Sequence, residues 1–577
     1  MRLKKSGAGE SVSYSAIRSI YLGNNRNTSE VVRCFGSRKE LLKQDLGGLD
    51  PEDWVRAEIA KMNEVEKQGE VFFSLSERKR IPKGEQRNFH IGHFFLTGLY
   101  HGLGLDKLSQ NISAKHKFKY DLDAILSMLV YARILFPGSK RASVIDSKQL
   151  YGIAQVEGHQ VYRALDVLAL HSNEIQAEIY KNSAKLIKRK TSILYYDCTN
   201  YFFEISGPGG LRQYGIAKDH KPNPLVQMGL FMDAGGVPLA FSIHPGNVNE
   251  QTTLRPLEEK ILKDFECSKF VVCTDAGLAS TANRKYNTKG DRAFVTVQSV
   301  KKLKKHLKEW ALSPEGWRLP DSEDLYSLSE LDEEKDKEKI FYKERWINEN
   351  NLEQRLIVSY SLKYKEYKES VREGHIERAI RAIGRGEKSS KKVNPNDFRR
   401  FIGSVKYTGD GEVAERTKLY LDEEQIGKER QYDGFYAVCT NLEGDAKEII
   451  RINKNRWQIE SCFKVLKSEF KSRPVNLQKD DRIHAHFLTC FIALIIFRIL
   501  KLKLNEKGKI FTDESLTDTL RAMGISYISK QGYVPHYTPD EKTDRLHDFV
   551  GFNTDTEIIR TSTLKKYLVK AKKLTFK

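Results

Sequence analysis

Three acidic residues stand where a divalent-metal site would need them: Asp197 after SILYY, Asp275 after KFVVCT, and Glu460 within NRWQIESCFKVLKSEF. Magnesium takes hard oxygen ligands in octahedral geometry, so a two-ion site draws carboxylates from several separate elements. Asp197 and Asp275 each end a run of β-branched and aromatic residues. That puts them at strand-to-loop junctions, where open α/β sheets carry active sites. Ala276 and Gly277 follow Asp275 and leave room for a metal or a backbone to approach. Around Glu460 the spacing predicts one long helix over EIIRINKNRWQIESCFKVLKSEF. Its apolar stripe is Ile459, Phe463, Leu466 and Phe470; its polar stripe is Arg456, Glu460, Lys464, Lys467 and Lys471. Glu460 is the lone acid at the centre of that basic face, as a metal ligand flanked by phosphate-binding cations would be.

Each acid also has an ordinary reading. An Asp at a strand end is commonly a turn or helix-cap residue. A Glu among Arg and Lys is commonly part of a solvated helix face. The combination is what favours chemistry, and it implies that the three carboxylates converge on a common metal position.

The elements that must hold such a site belong to a chain of 577 residues, long enough for roughly three or four domains. With 40% hydrophobic and 30% charged residues, a folded soluble protein is expected and a disordered one excluded. A surplus of 97 Lys and Arg over 77 Asp and Glu, net +20, favours a polyanionic partner, though a basic protein with no nucleic-acid role has the same composition. The seven cysteines show no CxxC spacing, against both a zinc site and a disulfide framework. The start, MRLKKSGAGESVSYS, lacks the apolar core of a signal peptide. The apolar run FLTCFIALIIF, Phe487 to Phe497, is 11 residues and reads as a helix buried in protein. A cytoplasmic, nucleoid-associated protein is expected.

Along the chain, residues 1–90 mix short strand-like runs with turns and end in the basic SERKRIPKGEQR. Residues 91–188 repeat apolar positions at helical spacing and predict a helical domain. From 189 to 302, short β-rich runs alternate with helical stretches, predicting a mixed α/β sheet that resumes over 433–505. The charged segment between them, 303–432, carries strand signals such as RLIVSYSL and TKLYLD and reads as an insertion. The basic N-terminal region is the candidate for contact with a polyanionic partner, and 506–577 the candidate for dimerisation.

These blocks, in this order, resemble the bacterial insertion-sequence DDE transposases whose third acid lies in a Y-x2-R-x3-E-x6-K signature. Arg456, Glu460 and Lys467 match its R, E and K, and Asn453 stands at the tyrosine position. YYDCTN resembles the first-Asp block, with Thr199 at its usual threonine, and VCTDAGLAS the second. GIAKDHKPNPLVQMGLFMDAGGVPLAFSIHPGNVNEQTTL resembles the strand-rich segment between them in one branch of the family. The likeness spans about 100–505.

The resemblance implies an α/β, ribonuclease-H-like catalytic core with a β-rich insertion, preceded by a helical domain. It implies two Mg2+ ions, with Mn2+ as substitute, held by Asp197, Asp275 and Glu460. Arg456, Lys464, Lys467 and Thr199 become the candidates for DNA contact. The partners implied are double-stranded DNA, as transposon inverted repeats and target, and a second copy of the chain in a synaptic homodimer. In hairpin-forming relatives an aromatic from the insertion stacks on a flipped base. Trp310, Trp317 and Trp346 are the candidates here, against their ordinary reading as packing residues. Two rivals remain open: a ribonuclease-H-like nuclease that only hydrolyses, and a transposase-derived DNA-binding protein without catalysis.

Overall fold

The structure is a computed structural model that describes residues 1–21, 27–67, 77–78, 80–205, 207–218, 221–265, 267–320, 322–387, 397–407, 416–529 and 531–576. Ser76 and Lys79 of the basic stretch, Asp219 and His220 of the strand-rich block, residues 388–392 of the insertion and the terminal Lys577 lie outside the described residues. The chain divides into two compact units.

The first unit comprises residues 1–92, 149–152 and 522–570. Strands Arg2–Ser6, Ser13–Tyr21 and Asn27–Ser37 form an antiparallel sheet. Helix Pro51–Lys67 buries Val55 and Ile59 with Tyr14, Ala16 and Leu41. A second sheet pairs Asn88–His90 with Gly524–Ile528, which pairs in turn with Gly532–Pro535. Residues that the sequence assigns to separate N- and C-terminal regions therefore share one sheet, with Phe89 opposite Ile525. A three-residue strand leaves no periodicity to read, so its distant partner is invisible locally.

The second unit holds everything else. Helices run from Phe94 to Leu186, among them α1 (Leu122–Leu135) and α2 (Gly158–Leu170). An eight-stranded sheet follows. Its strands are β1 (Ile193–Phe202), β2 (Leu225–Asp233), β3 (Pro238–Pro245), β4 (Val271–Thr274), β5 (Ala293–Gln298), β6 (Phe341–Glu349), β7 (Leu352–Tyr360) and β8 (Phe435–Thr440). The spatial order is β6-β7-β8-β5-β4-β1-β2-β3. β1, β4 and β5 run parallel, and β2 is antiparallel between β1 and β3. Those five strands make a ribonuclease-H-like core.

The near-continuous apolar runs of β1 and β2 fit a sheet covered on both faces. On one face, Leu194, Tyr196 and Phe231 pack with Leu257 and Ile261 of helix α3 (Leu254–Asp264). On the other, the alternate residues of β1 meet later helices. Tyr195 donates to the Ile452 carbonyl (3.0 Å), and the rings of Tyr201 and Phe487 lie 4.8 Å apart. Phe487 belongs to the apolar run, which forms the middle of a longer helix, Asp480–Leu504. That helix is long and apolar enough to cross a bilayer by composition, but it is buried inside the protein against α1 and α2.

The inserted segment differs in two respects from a separate, mostly β element: it carries the helices Lys305–Leu312, Leu362–Gly384 and Glu423–Arg430 beside its strands, and part of it joins the core sheet. Its hairpin β6–β7 joins the core sheet, because β7 pairs antiparallel with β8 and β8 with β5. An uncapped β8 would leave a row of unpaired N–H and C=O groups; the hairpin covers them. Leu356 and Val358 of β7 are buried with Trp317 and Phe341 on this extension. The remainder of the insertion makes its own small core. There Ala379 and Ala382 of helix α4 (Leu362–Gly384) meet Phe401, Ile402 and Ile426 beside the hairpin Ile402–Tyr407 and Arg416–Leu421.

The turn between β2 and β3 is pinned by a buried ion pair. Arg189 Nε lies 2.6 Å from Asp233 Oδ2, and Asp233 Oδ1 accepts from the Gly235 and Val237 N–H groups. Asp233→Ala strands a guanidinium inside the protein and is expected to cost about 3–5 kcal/mol, read as a lower urea midpoint. A loss under about 1 kcal/mol would mean that the pair does not hold the turn.

Candidate active site

β1 and β4 run side by side with Tyr195 level with Cys273, where their ladder stops. Asp197 and Asp275 each stand two residues further on, so they remain level. Period-two alternation sends Asp197 to the same side as Tyr195 and Tyr201, the face covered by the helices that follow β8. Asp275 directly follows β4, as expected. Asp197 does not end its strand: β1 continues to Phe202, because β2 pairs with it along its whole length from Leu194 to Phe202. The junction that the sequence suggests is the end of the short neighbour β4, not of β1.

Burial drives the Asp197 carboxyl up to about 7; Lys218 opposes the rise, Asp275 adds to it, and the Cys198 N–H and Arg456 oppose it. Two carboxylates this close repel, which is the ordinary electrostatics of a cation site. Asp275 Oδ1 accepts from the Leu278 N–H at 3.0 Å. A Cβ at Gly277 would sit 3.3 Å from Asp275 Oδ2, tighter than ordinary contact, so the small residue keeps this carboxylate uncrowded.

The long helix expected around Glu460 is broken into three parts. α5 (Ala446–Lys454) ends before Asn455; α6 (Trp457–Lys464) follows; a π-helical turn, Val465–Glu469, completes it. The break is made by tighter bonds, from the Arg456 N–H to the Asn453 carbonyl and from Gln458 to Asn455. The stripes hold all the same: Ile459, Phe463, Leu466 and Phe470 are buried, while Glu460 and Lys464 are exposed. Arg456, largely buried, lies 3.1 Å from Glu460 Oε1 and faces the charges of Asp197 and Asp275 as well.

The three acids are therefore assembled around one guanidinium, but they have not converged. They do not all lie within 4.8 Å of one another; among the described residues only Asp544, His547 and Asp555, in the first unit, form such a group. Glu460, whose side chain is 57% exposed, rests on Arg456. Solvent and a cation stabilise its charge better there than a place beside two like charges would.

The expected DNA-contact residues fall in different places. Lys467 lies in the π turn with its ammonium 5.6 Å from the centre of the Tyr201 ring, beside β1. Lys464 lines a separate cavity of about 660 Å3 with Arg498, Lys501 and Asp513, whose lining includes none of the three acids. Thr199 is 5% exposed within β1, which gives a phosphate no open path to it. Trp317 is fully buried, with its indole N–H donating to the Ser313 carbonyl, and Trp310 packs against the same core. Of the three insertion tryptophans Trp346 is the most open, at 45% exposed, and is the best placed to offer a ring to a base.

Sequence reasoning missed three neighbours. Lys218 donates to the Cys198 carbonyl and pairs with Glu250 at 3.0 Å. Burial works against the charge of Lys218, but Asp197 and Glu250 outweigh it and raise its pKa. A lone lysine in a Gly- and Pro-rich stretch carries no spacing signal. Trp457 is 59% exposed next to Arg456, and the Tyr436 ring of β8 lies by Asn453 and Arg456.

The donor set fits hard divalent ions: carboxylate oxygens only, with no sulfur or imidazole among the three residues. The transposase DDE domain family model matches residues 203–496, just over half of the chain. That span contains Asp275 and Glu460, and Asp197 lies just upstream of it. A cryo-EM structure of a piggyBac transposase synaptic complex with hairpin DNA is similar at 10% identity and TM-score 0.35, over 86% of this chain and 88% of that one. No curated protein matches the chain.

Mg2+ or Mn2+ at millimolar concentration should raise the melting temperature of the wild-type chain, since a ligand of the folded state alone stabilises it. Asp197→Asn and Asp275→Asn should lose that rise while melting no lower than wild type without metal. An undiminished rise in both variants, measured by scanning fluorimetry, would place the metal elsewhere.

Proposed function

The chain belongs to the transposase DDE domain family, and from that premise we propose that it cleaves DNA at the ends of an insertion sequence and joins them to a target, as a member of the group with the Y-R-E-K signature. The observation that carries this reading is the level placement of Asp197 on β1 and Asp275 just past the end of the parallel neighbour β4, with Arg456 facing both and paired with Glu460. Asp197 and Asp275 would be the main metal ligands, and Glu460 would complete the set by leaving Arg456. Bound there, two magnesium ions supply the positive charge that activates an attacking oxygen and steadies a leaving one.

The chain's own residues do the rest. Arg456, freed of Glu460, is placed to hold a phosphate beside the reacting one, and Lys467 the next along β1. Lys218 keeps the backbone at Cys198 fixed and so holds Asp197 in orientation. Water attacks first and exposes a 3′-hydroxyl; that hydroxyl then attacks either the opposite strand or target DNA. No bond between protein and DNA is required. The basic charge of the chain supports double-stranded DNA as partner, and two copies acting on two paired ends would make the synaptic dimer. The proposed place of action is the nucleoid of a bacterial cell.

Asp197→Asn, Asp275→Asn and Glu460→Gln should abolish metal-dependent nicking of a labelled inverted-repeat end and leave gel-shift affinity within about threefold, because an amide keeps the shape and loses the charge. Arg456→Ala and Lys467→Ala should instead weaken binding and lower the slope of log affinity against log salt by about 0.9 each. Nicking by Glu460→Gln at the wild-type rate would sink the mechanism. Products that are cut but never joined would point to a nuclease, and binding with no cutting to a DNA-binding descendant.

A further inference from the structure

β1 runs from the acids toward a second concentration of positive charge. At its far end the Val475 N–H donates to the Phe202 carbonyl, and the Arg473 guanidinium stands 5.8 Å from the centre of the Phe202 ring. Behind Arg473 opens a cavity of about 220 Å3, several times the ~30 Å3 share of one water. Arg133 and Lys140 line it from the helical segment, and Lys471, Arg473 and Asn476 from the stretch after the π turn. Among the described residues, no carboxylate lines it.

Arg133 is 2% exposed and Lys140 4%. Arg133 donates through its terminal nitrogens to the carbonyls of Phe470 and Gly138, at 3.0 and 2.9 Å, and its Nε has no partner. Among the described residues, the Lys140 ammonium donates to the Thr489 hydroxyl alone, at 3.0 Å. Burial, reinforced by the neighbouring Arg133, pushes Lys140 down to about 7. Two buried cations facing one cavity without an acid are costly, and a structural tether to neutral oxygens has no need of an ammonium. An anion in the cavity would turn that cost into charge-assisted hydrogen bonds.

We propose that this cavity is a binding site for a tetrahedral phosphate, supplied by the DNA backbone a few nucleotides from the point of cleavage. The assignment of the phosphate to DNA rests on the transposase reading; the anion site itself rests on the side chains. From Asp197 to Phe202 the strand advances ~16 Å at ~3.3 Å per residue. Lys467, over Tyr201, falls between the acids and the cavity. The acids, Lys467 and the cavity thus follow one line, which a single DNA strand could track. Arg473 and Lys471 would guide the phosphate at the mouth, and Lys140 and Arg133 would receive its oxygens.

The test uses the full-length chain and inorganic phosphate as first probe. Phosphate should raise the melting temperature more than chloride at equal ionic strength, and Lys140→Met should remove the difference. Because Lys140 is buried and its variant could fail to fold, the surface pair Lys471→Gln with Arg473→Gln provides a second reading and should at least halve the shift. The second probe is a set of inverted-repeat duplexes carrying one neutral methylphosphonate linkage each. One position should lower wild-type affinity about tenfold, the equivalent of one charge-assisted hydrogen bond, and have no effect on the double variant. Phosphate protection no greater than chloride, or unchanged in both variants, overturns the site. Protection by free phosphate with no sensitive linkage overturns the assignment to DNA. All these readings are of binding, so they stand apart from nicking, which tests the proposed function alone.

Discussion

Like charges held at close range are the constraint around which this molecule is built. The register of β1 against β4 puts Asp197 and Asp275 level just past the end of a shared ladder, and partial burial raises the cost of charge on Asp197. Left alone, such a pair would be resolved by a proton or by movement apart. Here the surroundings supply positive charge from several directions: Lys218 from the loop before β2 and Arg456 from the break between α5 and α6. The break matters, because it brings Arg456 within reach of the strands and of Glu460 at once.

The rest of the second unit serves to hold that arrangement still. β1 is locked on both sides, by β2 along its length and by β4 at its start. Its two faces are packed by α3 and by the helices after β8, with Tyr196 and Tyr195 bonded in opposite directions. The buried helix Asp480–Leu504 gives the sheet a rigid backing, and the hairpin β6–β7 closes its far edge. A site of concentrated charge needs a scaffold in which neighbouring strands cannot slide, since a shift of one residue would turn Asp197 to the opposite face.

Positive charge is also distributed with a direction. Arg456, Lys467, Arg473, Lys471 and finally Lys140 and Arg133 succeed one another along and beyond β1. At the near end of this line Arg456 pairs with Glu460, and at the far end Arg133 and Lys140 donate to the neutral oxygens of Phe470, Gly138 and Thr489. A row of cations of this kind is suited to phosphates, whose contacts position a nucleic acid whatever its sequence.

The sequence by itself determined which three acids are the candidates, the two-faced character of the helix bearing Glu460, and the α/β alternation around an inserted segment. All of these are local: residue type, spacing at two or at three and four, and a change of composition are written within a few turns of chain. Tertiary structure alone decided that β1 runs past Asp197, that the β6–β7 hairpin joins the core sheet, and that Asn88–His90 pairs with Gly524–Ile528. It also decided that Lys218 meets Asp197, that Glu460 rests on Arg456, and that Lys140 is buried beside Arg133. Strand partners and buried charges depend on which distant segments exclude water together, and no spacing along one segment records its partner.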